Sequence, residues 1–325
     1  MCTGCDRAGN AVTRYMGMNF NSIIKGTFSA IRFPNLVIIC ISLFLVRYSI
    51  VKPILSYSGT GSSVSDTNYW LLIAATLLIA AAGYIINDHY DAGIDAINKP
   101  GKNLSGTLFP NRTIITVYII FNAGAFVISW IFGERQGIKY ALPVFLLSAG
   151  LLYFYSLSYK KLFLLGNVVI AFLSSLIIGL SIIFDKQALL SDTIKLLVIA
   201  YALFAFLISL IREIIKDCED AEGDKKFGAA TLPLVTGLKT ARMIAAFLSF
   251  LMFGTILYIQ VAQLQWQNII LFIYTCLFIQ LPLLVLMYRN VTAKTKTNDS
   301  WNSRLTKIIM VTGLLSMLVF QITSG

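Results

Sequence analysis

Long uncharged stretches alternate with short polar ones along the whole chain. Runs long enough to cross about 30 Å of hydrocarbon at about 1.5 Å per residue fall near 33–51, 69–87, 113–132, 140–157, 164–184, 194–215, 241–262, 267–288 and 305–323. The pattern predicts an all-α integral membrane protein with nine transmembrane helices. Arg47 falls close to the end of the first run, where a long side chain is expected to snorkel to the interface. The connections are short except around 52–68, 88–112, 216–240 and 289–304. Among them, SYSGTGSSVSDTNY (56–69) reads as a flexible outer loop rich in Gly and Ser. Residues 1–23 read as a short polar extension and 24–325 as a single membrane domain. No cleavable signal peptide is expected from the mixed, polar start.

Composition agrees with this pattern. Of the 325 residues, 57% are hydrophobic and 13% charged, against about 45–50% and about 25% in a soluble domain. The net charge of +11 does not point to nucleic acid, because Lys and Arg gather at one side of the membrane. With the N-terminus inside, 20 of the 26 Lys and Arg fall in inner segments. Arg47, Lys52, Arg135, Lys139, Lys186 and Lys195 fall outside. The positive-inside rule therefore places the N-terminus in the cytoplasm of a multi-pass cell-membrane protein. Cys40 and Cys276 lie inside apolar runs and read as core. Cys2 and Cys5 form a lone CxxC without partner ligands.

The second run ends in NDHYDAGIDAINKP (87–100). Asp88, Asp91 and Asp95 are spaced i, i+3, i+7, within about 60° of one another on a helix, and Asn87 stacks one turn above Asp91. This gives one acidic face if the helix continues through Gly93. IREIIKDCEDAEGD (211–224), after the sixth run, repeats the spacing in Asp217, Asp220 and Asp224, with Glu213 one turn earlier. Gly223 could end that helix before Asp224. Both faces come at the inner ends of helices that start outside. Six close carboxylates cannot all remain ionised without a cation. An oxygen-only ligand set with no cysteine in either stripe, in a chain with a single histidine, suits a hard ion. Mg²⁺ takes one or two carboxylates and completes its shell with water and substrate phosphate. Two acidic faces across a gap therefore predict a diphosphate held by magnesium. Basic partners are at hand: Lys160 and Lys161 follow the fourth run with Tyr155 just before them, Arg212 and Lys216 flank the second acidic face, and Lys99 and Lys102 follow the first.

These motifs resemble the UbiA superfamily of intramembrane prenyltransferases. NDHYDAGID is similar to its NDxxDxxxD signature, and DCEDAEGD followed by KKFGAATLP is similar to its second aspartate motif and downstream tail. YSLSYKK resembles its Tyr and Lys element, and IRFPNL (31–36) its Arg-Pro-Asn entry to the first helix. The resemblance implies a helical bundle open laterally to lipid, with a cytoplasmic cap, that transfers a prenyl chain from a polyprenyl diphosphate to an acceptor with Mg²⁺. It assigns Asn87, Asp88, Asp91, Asp95, Asp217, Asp220 and Asp224 to magnesium and diphosphate, and Tyr155, Lys160 and Lys161 to the diphosphate. It turns Arg32 and Asn35 toward the substrate pocket. Lys102 stands where many members have an Arg, so a point charge replaces a bidentate fork there. The branch most similar in INDHYDAGIDAINKP and IREIIKDCEDAEGD adds a second geranylgeranyl chain to geranylgeranylglyceryl phosphate.

In the expected reaction an allylic C–O bond breaks as magnesium and lysines neutralise the departing diphosphate. Aromatic faces stabilise the allyl cation, for which Tyr153, Phe154 and Tyr155 are candidates. An alcohol acceptor loses a proton, for which Asp91 is a candidate base. His89 lies about 100° from Asp88 around the helix, off the acidic stripe. An aromatic quinone precursor is the alternative acceptor. A cation-coupled transporter is the rival of another class, though transporters place ionisable groups near the midplane rather than at helix ends. A CDP-alcohol phosphotransferase would need an Ala-Arg pair that 88–95 lacks.

Overall fold

The computed structural model describes residues 26–98, 110–265 and 268–324, and among these the chain is helical with no strand. The principal helices are α1 (Phe33–Tyr57), α2 (Asp66–Asn98), α3 (Asn111–Gln136), α4 (Ala141–Leu157), α5 (Leu165–Ile183), α6 (Asp192–Lys226), α7 (Leu238–Gln265), α8 (Ile269–Thr292) and α9 (Lys296–Ser324). Among the described residues, eight are long and apolar enough to cross a membrane; α4, with 17 residues, is apolar but shorter. The boundaries follow local chemistry. Pro34 and Pro110 stand at or just before the first turns of α1 and α3, where a missing N–H costs nothing. Ser191 accepts from the Ile194 N–H to start α6. Gly137 ends α3 at φ 67°.

Each helix packs against its successor, and α9 returns to α1, so the nine close into a ring. α6 makes the most extensive contacts, with α5, α9 and α7. Three cores fill the ring. Leu43, Leu72, Ala125 and Phe145 centre one between α1 and α5, and Ile211, Ala245, Leu283 and Ile309 centre another among α6–α9. Val46, Ile50, Ile178, Val198 and Met317 form the third, at the ring end away from the acidic motifs. Outward positions are apolar as well: Ile119, Ile120, Leu196, Phe247 and Ile270 are all exposed. In water this would be a large defect; in lipid it is the expected solvent-facing surface.

Two expectations change at the end distal to the motifs. Arg47 does not snorkel; it is 1% exposed and turned into the bundle. Its guanidinium donates to Asp185 at 3.2 Å, to Ser62 at 2.6 Å and to the Val64 carbonyl, and lies 4.7 Å from the Tyr69 ring centre. The segment 56–69, expected as a loose loop, is tied down by the same network. The Asp185 carboxylate accepts from the Ser63 N–H at 3.1 Å, the Ser63 hydroxyl at 2.7 Å and the Ser62 hydroxyl, and also caps the short helix Lys186–Leu190. A charge buried inside a membrane bundle persists only with a partner and satisfied donors, and the serines supply what the sequence pattern hid. Burial pushes the Asp185 carboxyl up, but the Ser62 and Ser63 donors outweigh it and leave its pKa below the ordinary value.

Removing one member of this pair should strand the other. Asp185→Ala is expected to cost about 3–5 kcal/mol, read as a lowered melting temperature in detergent. Because the folded pKa is depressed, the stabilisation is complete above the ordinary carboxyl range and fades as pH falls through the folded value. The acid limb of a melting-temperature profile should therefore flatten in Asp185→Asn.

Candidate active site

The two acidic helices meet at their ends through one asparagine. α2 continues unbroken through Gly93 to Asn98, and α6 through Gly223 to Lys226, so both triads keep their helical spacing. The Asn98 side chain donates to the Asp220 carbonyl at 2.9 Å and accepts from the Gly223 N–H at 2.9 Å. The approach leaves no room for a side chain: a Cβ on Gly223 would sit 2.4 Å from Asn98 Nδ2. Lys296, at the start of α9, donates to the Asn98 carbonyl at 3.1 Å. Phe227 packs its ring over Gly93. The register of one acidic face against the other is thus fixed by a side-chain amide that reads backbone on the opposite helix.

Between them lies a cavity of about 70 Å³ with Asp91 and Asp95 on one wall and Asp217, Asp220 and Asp224 on the other. Lys160, Lys161, Lys216 and Tyr155 complete it. The Asp91 carboxylate is held by the Asn87 amide at 2.7 Å and by Lys160 Nζ, and Asp217 by the Asn167 amide at 2.7 Å. Asp224 feels the charge of Asp220 on its own helix and of Asp91 across the gap. Burial lowers the Lys160 pKa, and the Asp91 charge works against that. Lys160 belongs to the tight turn Tyr159–Lys161. α5 can begin against this turn because Gly166 lacks a side chain; a Cβ there would lie 2.7 Å from Lys160 Cα. Leu164, just before α5, sits at φ 56°, a conformation costly for a non-glycine residue and found where surrounding structure enforces it. The Ala230 N–H donates to the Lys161 carbonyl at 2.8 Å, which ties the tail of the second motif to the lysine turn.

Among the described residues no three His, Cys, Asp or Glu converge tightly enough to hold a metal ion alone. The carboxylates face one another across a gap instead. That donor set, all oxygen and incomplete without other ligands, suits Mg²⁺ shared with a substrate phosphate.

A second, larger cavity of about 190 Å³ adjoins the first. Arg32, Tyr155, Glu213 and Lys216 line both. Its deeper walls are apolar, with Ile38, Leu152, Ile170, Ile178 and Phe204. Arg32 precedes α1 at φ 48°, donates to Asp88 at 2.8 Å and lies 5.2 Å from the Tyr84 ring centre. Burial acts to lower the Arg32 pKa, but Asp88 outweighs it and the net direction is up. Asn35 and Asn87 also face this cavity.

Several expected site residues fall elsewhere than the acid-walled cavity. Asp88 is engaged by Arg32, and Arg212 lines the larger cavity, donating to Glu213 at 2.7 Å. Of the three aromatic candidates only Tyr155 lines either cavity. Phe154 is exposed, and Tyr153 packs near Tyr90 and Tyr118. Asp91, the candidate base, is held by Asn87 and Lys160. Glu213, the extension of the second acidic stripe, is buried and faces both cavities. His89 packs edge-on against Tyr90. Lys99 and Lys102 lie outside the described residues. Asn98, Asn167 and Lys307 carried no motif; their contacts are long-range and only the fold reveals them.

Residues 53–308 match the UbiA prenyltransferase family. A digeranylgeranylglyceryl phosphate synthase from Methanothermobacter thermautotrophicus is 31% identical over 265 residues, covering 79% of this chain and 86% of that one. The enzyme of the same name from Methanosarcina barkeri is 32% identical over 256 residues, covering 76% and 80%. A solved structure concerned with digeranylgeranylglyceryl phosphate synthase in membranes superposes with a TM-score of 0.62 at 25% identity, covering 92% of this chain and 98% of that one. A UbiA homologue from Archaeoglobus fulgidus, bound to DMAPP and Mg²⁺, shares the fold at a TM-score of 0.58 and 15% identity, covering 90% and 99%.

The Asn98 clasp predicts that Gly223→Ala forces the two acidic ends apart. Overpacking of this kind costs about 1–3 kcal/mol. The melting temperature should fall, and spin-label distances between positions 89 and 222 should lengthen or broaden. Unchanged distances would remove the clasp as the determinant of register. Gly166→Ala should displace the lysine turn and weaken diphosphate binding while leaving those distances alone.

Proposed function

The chain belongs to the UbiA prenyltransferase family, and on that premise we propose that it transfers a geranylgeranyl chain from geranylgeranyl diphosphate, with Mg²⁺, to geranylgeranylglyceryl phosphate or a related glyceryl phosphate lipid. The observation that carries the reading is the small cavity walled by two acidic helices and continuous with a larger, mostly apolar one. The names of the curated relatives support the acceptor, and the ligands in the Archaeoglobus homologue's structure are compatible with the donor class. The excess of Lys and Arg in the predicted inner segments supports nine spans with the site at the cytoplasmic face of the cell membrane, capped by the connections there. The carboxylates sit at helix ends rather than at the midplane, which argues against a cation-coupled transporter.

On this reading the diphosphate head enters the small cavity. Asp91 and Asp95 with Asp217, Asp220 and Asp224, on the walls of this cavity, would hold magnesium, which would supply Lewis acidity to the departing diphosphate. Asn87 and Asp88 support them from behind, Asn87 by holding Asp91 and Asp88 by holding Arg32. Lys160, Lys161, Lys216 and Tyr155 present donors to the diphosphate oxygens and favour the charge that grows there. The prenyl tail lies along the apolar wall of Ile38, Leu152, Ile170 and Phe204, which also keeps water from the allylic carbon. The Tyr155 ring stands at the junction of the cavities, where a cationic C1 can be stabilised by about 0.5–2 kcal/mol. The acceptor oxygen bonds to C1 as the C1–O bond breaks. Glu213, within reach of both cavities, takes the hydroxyl proton, and the diphosphate departs with the bonding pair.

The purified protein with geranylgeranyl diphosphate and geranylgeranylglyceryl phosphate should form the di-geranylgeranylated product by mass, and chelation of Mg²⁺ should stop it. Transfer only to an aromatic acceptor would overturn the acceptor assignment. Asp88→Ala or Asp217→Ala should lower turnover on the order of 10²–10³-fold, as loss of preorganised electrostatics does, with the protein still folded in detergent. Full turnover by Asp217→Ala would sink the acid-wall reading, and full turnover by Asp88→Ala would remove the Arg32–Asp88 pair from the site.

A further inference from the structure

The larger cavity holds a cation that the reaction outlined above does not use. Lys307, on α9, reaches its polar end and donates to the Asn35 side-chain oxygen at 2.9 Å. Asn35 is neutral, and no salt bridge joins Lys307 to a carboxylate among the described residues. Its charged neighbours are Arg212 and Arg32, which repel it. Arg32 is committed to Asp88 and Arg212 to Glu213. Four cations, Arg32, Arg212, Lys216 and Lys307, thus line this cavity above an apolar trough, and the ion pairs Arg32–Asp88 and Arg212–Glu213 account for only two of them. An ammonium half-buried beside like charges is unfavourable unless an anion completes the group. The nearest anion already assigned, the diphosphate, belongs between the acidic walls, and Lys307 does not line that smaller cavity.

We propose that Lys307, with Asn35 and Arg212, is the seat for the phosphate of the acceptor lipid, separate from the diphosphate seat. The proposal deepens the function proposed above and rests on it for the identity of the acceptor. Two anion seats on either side of Tyr155 and Glu213 would hold the two substrates head to head. The acceptor phosphate is taken by α1, α6 and α9, the leaving diphosphate by α2, α6 and the lysine turn, and the glyceryl hydroxyl falls between them. The apolar wall below Lys307, which includes Met310 and Leu314, suits the hydrocarbon chain of a lipid acceptor. Nothing here requires a phosphate of the aromatic quinone precursors. A lysine reserved for phosphate would therefore also act as a specificity residue, favouring a phosphorylated acceptor over its dephosphorylated form.

The test is a kinetic split in the intact protein. In Lys307→Met the KM for geranylgeranylglyceryl phosphate should rise roughly tenfold or more, the loss expected for a charge-assisted hydrogen bond. The KM for geranylgeranyl diphosphate should stay unchanged, and the preference for phosphorylated over dephosphorylated acceptor should shrink. Lys307→Arg should recover most of the loss. A rise in the donor KM alone, or no change in either, would overturn the seat. A binding measurement separates this from the functional reading: dialysis of a radiolabelled alkyl glyceryl phosphate against the protein without donor or magnesium should give at least a tenfold weaker Kd in Lys307→Met. If the wild-type protein transfers only to aromatic acceptors, the functional reading fails, and the dialysis result still decides whether the seat exists. Equal Kd values would reject it.

Discussion

Two rows of carboxylates repel one another, and the bundle must set their separation before any counter-ion arrives. That constraint is met by Asn98. Its amide donates to the Asp220 carbonyl and accepts from the Gly223 N–H, so a single side chain measures the gap against backbone rather than against another flexible side chain. The close approach requires glycine at 223, and Lys296 fixes Asn98 from behind. Repulsion between the walls is then carried by a rigid contact between the two helix ends. Preorganisation of this kind is where electrostatic catalysis gains most.

The same region separates two kinds of chemistry by position alone. The small cavity is lined almost wholly by ionic groups; the large one is apolar apart from its rim. Tyr155 and Glu213 stand where the two meet. On the proposed reading, these two linings sort headgroup from hydrocarbon and place the reacting carbon at their boundary. Arg32 and Leu164 are the two non-glycine residues at positive φ among the described residues; Arg32, before α1, lines both cavities, and Leu164, before α5, follows the lysine turn. Backbone held in an unfavourable region near a reaction centre is a frequent correlate of function. Here each aims the start of a helix that lines the larger cavity.

Much of this was legible in the sequence because it is local. Apolar runs gave the helices, and the i, i+3, i+7 spacing of Asp88, Asp91 and Asp95 and of Asp217, Asp220 and Asp224 survives intact because both helices continue through their glycines. What escaped were contacts between residues far apart in the chain. Asn98 and Gly223 look like ordinary helix-end residues until α2 and α6 are brought together. Arg47 reads as an interfacial charge until Asp185 and the serines of 62–63 appear beside it. Lys307 reads as one more positive-inside lysine until it is seen facing Asn35. Arg212 was expected with the diphosphate; it shares a helix face with Lys216 but sits one turn deeper along α6, so Lys216 lines both cavities and Arg212 only the larger one. A pattern fixes which face of a helix is polar, but not which of several nearby anions a cation on that face will meet.

The Arg47–Asp185 network has a bearing on the distant site. A ring of helices around an apolar cavity has two ends, and only one can be open to charged headgroups if the hydrocarbon part is to stay dry. The distal end is shut by a core of Val46, Ile50, Ile178 and Met317, with the buried ion pair beside it joining α1, the 62–64 segment and the connection between α5 and α6. Apolar packing alone is non-directional; it would tolerate small rotations of α1 against α5. A guanidinium with four oriented contacts does not. α1 starts just after Arg32 and carries Asn35 and Ile38, and α6 carries Phe204, Ile208 and Arg212, so rotation about the distal end would move both walls of the larger cavity. The buried pair thus serves as the fixed point from which α1, α5 and α6 project the catalytic end, and this accounts for a charge kept inside a membrane bundle where an apolar side chain would suffice for packing.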